Sequence, residues 1–475
     1  MPFRHRGILT TFALVPVLAG TLVVTASAPA SGGTSPGGSA VLAAALRQAI
    51  DHQDFKNVLD TTPPDLSAPA RRPAVAPDKD AAMDARPRPI NPAAAVPIHQ
   101  TPNMDAAVIE LDDHGRATAS ADVVLSPQYP HGQVVPLNRN MFTDQVRYRW
   151  WDDYEWDHNN GLGTRDVLPG RENAPIDFDS PYPGSVFKLM VGFELMRLVD
   201  QGRVSMDATY DYRPTVPKDS CGGPTSKKIG TYFDEMITQS KNESACALVL
   251  MELNLGALDE MNAEYVHLGL PTLMMTQIDP NNGGHWTGGN MSAVDAAKLL
   301  LLINGGSGVL WRAPDGTAVT RDVLSNASRQ LYARTLLEQG HNDTLSTSNW
   351  CGRAYPAPGI PSVVAQRWIN PAAGTVNVGG TYYGQDVRPC NAAAQVTMAH
   401  KTGWVDTTGA DAAIVHSLPG KPKRNYIVVV FCNLGTDYID VNRPADPAGV
   451  YPVPLTEKYG QLGLSIDRIV TALQS

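Results

Sequence analysis

The sequence lacks a Cys-x-x-Cys pair, a second apolar segment long enough to cross a bilayer, and any block of like charge. Without closely paired cysteines, a zinc ribbon has no ligand set and thioredoxin-like chemistry has no dithiol. The 47 acidic side chains outnumber 38 basic ones, and the net charge of −9 is spread along the chain, which argues against nucleic acid as a partner. No internal repeat is visible either, so a solenoid is excluded.

What is present is a chain of 475 residues, 43% hydrophobic, enough for one large domain or two ordinary ones. At the N-terminus, Arg4, His5 and Arg6 precede an apolar run from Gly7 to Val24 and the small residues Ala26-Ser27-Ala28 and Ala28-Pro29-Ala30. That order is a secretory signal over residues 1–30. The alternative is a retained anchor, which alone would bring the protein into membrane contact. Either way the body lies outside the cytoplasm, secreted or associated with the cell envelope. Five cysteines in an exported chain then favour one or two disulfides with at least one thiol left over. Cys351 and Cys390 flank a Gly/Pro-rich stretch and are the expected bridge; Cys432 follows the β-rich run Tyr426 to Phe431 and is expected as a buried thiol.

Residues 31–104 are rich in Ala and Pro and read as a spacer, interrupted by a short amphipathic helix at roughly 40–58. The spacer could be a tether holding a catalytic domain off a surface, or a plain disordered leader. A domain over 105–475 opens with a β-hairpin around Ala107 to Leu111. The aromatic and acidic stretch Trp150 to Asp157 reads as a surface loop or as the wall of a groove. Helices follow at about 185–199, 232–251, 292–303 and 325–339, strands at 395–400, 412–417 and 426–432, and a closing helix at 465–473. Early strands, a helical middle and late strands make an α+β arrangement.

Ser185 follows the turn Tyr182-Pro183-Gly184 and stands at the first turn of a helix apolar on all sides. Lys188, three residues on, shares its face. An amine in apolar surroundings loses its preference for the charged form, and a neutral lysine in reach of a serine can activate it as a nucleophile. Ser240-Lys241-Asn242 sits at a loop-to-helix junction, where Ser240 and Asn242 offer a proton relay and an amide beside the nucleophile, or simply a helix cap. Lys401-Thr402-Gly403 ends a strand; Lys401 and Thr402 suit a substrate carboxylate, and Gly403 allows close backbone approach. The backbone N–H groups of Ser185 and Trp404 are the expected oxyanion hole.

These three motifs, in this order and setting, resemble the serine β-lactamase and penicillin-binding protein superfamily, class A β-lactamases most closely. SVFKLMVGFELMRLVDQGRVSMDATYDY, MITQSKNESACALVLMELN, and HKTG followed by GADAAIV carry the likeness. The resemblance implies a five-stranded antiparallel sheet flanked by helices plus a mostly helical domain, and an acyl-enzyme on Ser185. It also implies a monomer needing no cofactor or metal, with a small molecule or cell-wall peptide as substrate.

Two departures qualify it. Lys241 stands where class A enzymes usually have aspartate, a position that generally faces away from the site. No glutamate lies between Glu264 and Glu338, where class A enzymes carry the residue that activates the deacylating water. Asp279 or His285 could substitute, or their Asn/Gly-rich stretch is only a surface loop. The long interval from Asn242 to Lys401 points to an insertion at about 305–392, a loop-rich flap near the cleft. The readings are a hydrolase acting on a β-lactam, D-amino-acid peptide or ester, a D,D-carboxypeptidase among them, and a penicillin sensor or trap that acylates and stalls.

Overall fold

Six strands, several of them apolar on both faces, set the architecture. In the order 396–405, 408–417, 425–432, 104–111, 117–126, 129–134, every neighbouring pair is antiparallel. Met104–Leu111 is buried along its whole length and Asn425–Cys432 at all but its first residue. Such continuous apolar strands need a cover on each side. The computed structural model describes residues 34–64, 66, 95–163, 165–216, 219–352, 358–443 and 455–475, all in one compact unit.

One face of the sheet, through Ala107, Ile109, Ile414, Ile427, Val429 and Phe431, joins the core of the helical domain. The other, through Val108, Met398, Val415, Val428 and Val430, packs against Leu42, Leu46 and Ile50 and against Leu462, Ile466 and Val470. Those six residues belong to two terminal helices, Pro36–Gln53 and Lys458–Leu473. The helix expected at 40–58 therefore exists but begins earlier, with Ser35 as N-cap and Pro36 in its first turn.

Its setting corrects the spacer expectation. Leu42, Leu46 and Ile50 recur at helical spacing, and that stripe covers the sheet. Phe55 and Tyr459 stack edge to face at 5.9 Å, and Lys458 Nζ donates to the Gln53 carbonyl at 2.7 Å, so the two helices are tied together. The folded body thus already includes residues from Thr34 on, ahead of the expected domain start at 105. The expected signal over 1–30 and the proline-rich interval 67–94 lie outside the described residues.

The strand count also differs from the expected five. Ser126 pairs directly with Tyr129, so the chain folds back at Pro127-Gln128 and adds Tyr129–Val134 as a sixth, outermost strand. Pro130 costs nothing on an edge, where its missing N–H faces no partner strand.

Within the helical domain, Lys188–Asp200 runs through the centre with ten of its residues buried. Tyr332 and Tyr265 donate their hydroxyls to its first carbonyls, at Leu189 (2.9 Å) and Met190 (3.1 Å). The helix expected over 232–251 is two helices, Ile229–Thr238 and Asn242–Asn254, broken at Gln239 to Lys241. A disulfide joins Cys221 to Cys246; the sequence had left this pair unassigned. The expected Cys351–Cys390 bridge is present, and Cys432 is a buried free thiol.

The interval 305–392 is only partly loop-like. Its helix Asn326–Leu337 is integral to the domain, with Tyr332 against Phe233 at 5.3 Å. The remainder, bounded by the second disulfide, has a small core of its own that includes Trp350, Val364, Val376, Val378 and Tyr383. Of the stretch Trp150 to Asp157, most forms the short helix Asp153–His158 with Trp156 buried, so it packs on the body as expected, but as a helix and not a loop.

Candidate active site

The serine helix is entered through a single tight turn, Gly184–Phe187, and Ser185 is buried. Strand Val396–Val405 passes so close that a side chain on Gly403 would begin 2.7 Å from the Pro183 oxygen and the Ser185 nitrogen. From the other side, a side chain on Gly184 would begin 3.2 Å from the Trp404 nitrogen, and Gly184 itself has a φ of 53°. Only glycine fits such an approach. The consequence is that the Ser185 and Trp404 nitrogens line one crevice.

Lys188 is fully buried. Its Nζ lies 2.9 Å from Ser185 Oγ, 2.6 Å from the Ser240 carbonyl oxygen, 2.7 Å from Asn242 Oδ1 and 3.4 Å from Ser240 Oγ. A carbonyl and an amide oxygen can only accept, so they claim two N–H bonds of the amine. The third position on nitrogen faces Ser185 Oγ, and in the neutral amine that position is a lone pair.

Ser240 has the left-handed φ of 58° that non-glycine residues seldom adopt. This bend turns its carbonyl toward Lys188 and its hydroxyl toward both lysines. Lys401, fully buried on the strand, donates to Ser240 Oγ at 2.9 Å and to the Thr402 carbonyl at 2.7 Å. Burial, then the nearness of the Lys188 amine, holds Lys401 well below the usual lysine range. Behind it, His400 Nδ1 meets Asp411 Oδ1 at 3.0 Å. Lys241 leans away to Glu235 at 3.4 Å, as the expectation for that position had it.

The structure thus brings Ser185, Lys188, Ser240, Asn242 and Lys401 into one hydrogen-bonded group, with Thr402, Gly403 and Trp404 following on the same strand. Trp404 and Ser240 are its partly exposed members. Asp279 and His285 stand opposite each other in the hairpin Met274–Asp279 and His285–Asn290. Asp279 caps the hairpin tip, its Oδ1 accepting from the Asn281 backbone at 2.8 Å. His285 is buried and stacks on Trp286 at 5.6 Å.

Trp286, which the sequence reading missed, makes the hairpin's contact with the Ser185 turn. Its ring lies 4.2 Å from that of Phe187, and its Nε1 donates to Tyr182 Oη at 3.0 Å. Also missed were His341 and Asp343. A polar His-Asn-Asp triplet straight after a helix in an otherwise apolar domain was the signal available. Among the described residues no cluster of three or more His, Cys, Asp or Glu is arranged to hold a metal.

Residues 158–344 match the model of the Beta-lactamase enzyme family. Among solved structures, PBP-A is 18% identical, with 61% of this chain and 80% of that chain aligned at a TM-score of 0.36. A β-lactamase from Sphaerobacter thermophilus is 13% identical over 61% and 82% of the two chains (TM-score 0.36). One from Xanthomonas campestris is 13% identical over 77% and 91% (TM-score 0.39). No curated protein matches the sequence. Residues 158–344 thus resemble the Beta-lactamase enzyme family.

Proposed function

We propose that this protein is an extracytoplasmic serine hydrolase that forms an acyl-enzyme on Ser185 with a β-lactam or a related amide or ester. The observation that carries the reading is the Lys188 amine, 2.9 Å from Ser185 Oγ with its other directions fixed by acceptors. Neutral Lys188 takes the Ser185 proton as Oγ attacks the carbonyl carbon. The N–H groups of Ser185 and Trp404 hold the developing oxyanion. As the C–N bond breaks, the leaving nitrogen takes a proton from Ser240 Oγ, which the two lysines resupply. Lys401 and Thr402 bind the substrate carboxylate, and Asn242 contributes an amide beside the site. Two disulfides support an oxidising compartment.

A second reading, acylation without efficient turnover, is favoured by the Asp279 carboxylate, which is committed to its own hairpin tip. A D,D-carboxypeptidase remains the close alternative substrate assignment. Time-resolved intact mass with a fluorescent penicillin tests all of these. A transient adduct supports the hydrolase and a lasting one the trap. No adduct, with Ser185→Ala as control, overturns the β-lactam reading.

A further inference from the structure

Beneath the Ser240 bend lies a buried polar chain that the acylation steps do not use. Tyr383 belongs to the disulfide-bounded segment and packs on Trp350 at 4.8 Å. Its hydroxyl oxygen lies 2.7 Å from Asp343 Oδ2 and 2.7 Å from His341 Nδ1. His341 Nε2 lies 3.3 Å from the carbonyl oxygen of Gln239, the residue immediately before Ser240. All three side chains are buried.

With His341 neutral, counting protons gives this chain one direction. A carbonyl only accepts, so the Gln239 bond requires a proton on His341 Nε2. In a neutral ring Nδ1 is then an acceptor and takes the single phenolic proton of Tyr383. The phenol oxygen can in turn accept from Asp343 only if that carboxyl is protonated. Burial of both groups favours this pattern below the Asp343 titration. Burial, then the Lys401 ammonium, with His400 and Lys188 beyond, pushes His341 down to about 3 and keeps it neutral. Burial, helped by the Asp411 carboxylate and opposed by Tyr383 and His400, pushes Asp343 up to about 6.

We propose that Tyr383 is a positioning residue that, through His341, fixes the Gln239 carbonyl and so holds the left-handed Ser240 bend orienting Lys188 and Lys401. The insertion would then help set the geometry of the reaction. When Asp343 releases its proton to solvent, Tyr383 donates to the carboxylate. The ring proton of His341 then shifts from Nε2 to Nδ1, and the Gln239 carbonyl faces a lone pair. Acylation consequently falls as pH rises through the Asp343 titration.

The inference rests on the acyl-enzyme reading for one of its two measurements. Acylation by a fluorescent penicillin is followed from pH 5 to 9 in the full chain. Asp343→Asn donates an amide N–H to the phenol at every pH and should remove the alkaline fall. Tyr383→Phe breaks the chain and should slow acylation about tenfold, the worth of one good hydrogen bond, with the fall also gone. Ring nitrogen spectra of His341 read the tautomer without any substrate: Nε2–H in the parent at pH 5, and a changed pattern in Tyr383→Phe. A Tyr383→Phe protein with the parent rate and parent pH profile overturns the inference, and so does a parent ring protonated at Nδ1 at pH 5. Failure of the parent to label overturns the acyl-enzyme reading instead, while the ring spectra still decide this one.

Discussion

Lys401 Nζ lies 2.9 Å from Ser240 Oγ, and the same hydroxyl lies 3.4 Å from Lys188 Nζ. One bent serine therefore stands between two buried amines. Two ammonium groups cannot both stay charged at this range in a dry interior without strong penalty, and the shared hydroxyl gives a proton a path between them.

Removing the first amine tests that arrangement. Lys188→Ala should slow acylation of Ser185 by about 10²–10⁴-fold, the usual contribution of a positioned base. Stopped-flow labelling measures it, and a parent-like rate would refute the assigned role. The variant also leaves Asn242 Oδ1 and the Ser240 carbonyl without their Lys188 bonds, so a lower melting temperature should accompany the kinetic loss.

Gly403→Ala tests the crevice. Its methyl group would begin 2.7 Å from backbone atoms at Pro183 and Ser185, which have no side-chain freedom to yield. We expect acylation to fall at least tenfold, with an intact fold by circular dichroism. Unchanged labelling would show that the strand and the serine turn separate easily.

Lys298 gives a pH signature unrelated to catalysis. It is fully buried among Phe142 (3.8 Å) and Trp311 (4.9 Å), donates to the Gly269 carbonyl at 2.6 Å, and burial lowers it to about 8 from 10.5. Between those values the unfolded chain binds a proton that the folded chain does not, so stability rises with pH across about 8 to 10.5. Relative to Lys298→Met, the parent should gain on the order of 3 kcal/mol over that window. Denaturant melts at pH 7.5 and 10.5 measure the difference; a constant gap would contradict it.

The thiols should divide cleanly. Cys432 is buried and its thiol is pushed up to about 12 by that burial, so the native oxidised protein should react with no thiol reagent and the denatured protein with one equivalent. Breaking Cys351–Cys390, which closes a loop of sequence separation 39, should cost up to roughly 4 kcal/mol. Two or more equivalents in the denatured, unreduced protein would overturn the pairing.

Leu46→Ala tests whether the N-terminal helix belongs to the body. Leu46 is 1% exposed against the sheet, and its truncation should cost about 2–5 kcal/mol. A spacer residue would show no effect on the denaturation midpoint.

Much of the site could be read from the sequence because its chemistry contradicts its surroundings. Lys188 stands out as a fully buried cation at the apolar start of its helix, and Lys401 as one in a buried strand. Ser240 was visible as a junction residue, but its left-handed φ was not, since nothing in Gln-Ser-Lys-Asn demands it. The N-terminal helix was seen, yet its cover role was hidden by the Ala/Pro composition around it. Composition averages over a stripe of three residues, and the stripe is what packs. Cys221–Cys246 stayed unassigned because connectivity depends on which elements fold side by side.

Burial on both faces makes the strand bearing Lys401 intolerant of error. Lys401 pairs with Ala412, and its neighbours Val396 and Met398 are seated in the core that the terminal helices close. A slip of one residue would present Thr402 in place of the ammonium and, in the same movement, pull those side chains from their seats. The core thus proofreads the register of the Lys401 strand: a misaligned amine is a misfolded protein, and the folded population carries few silent, mis-set sites.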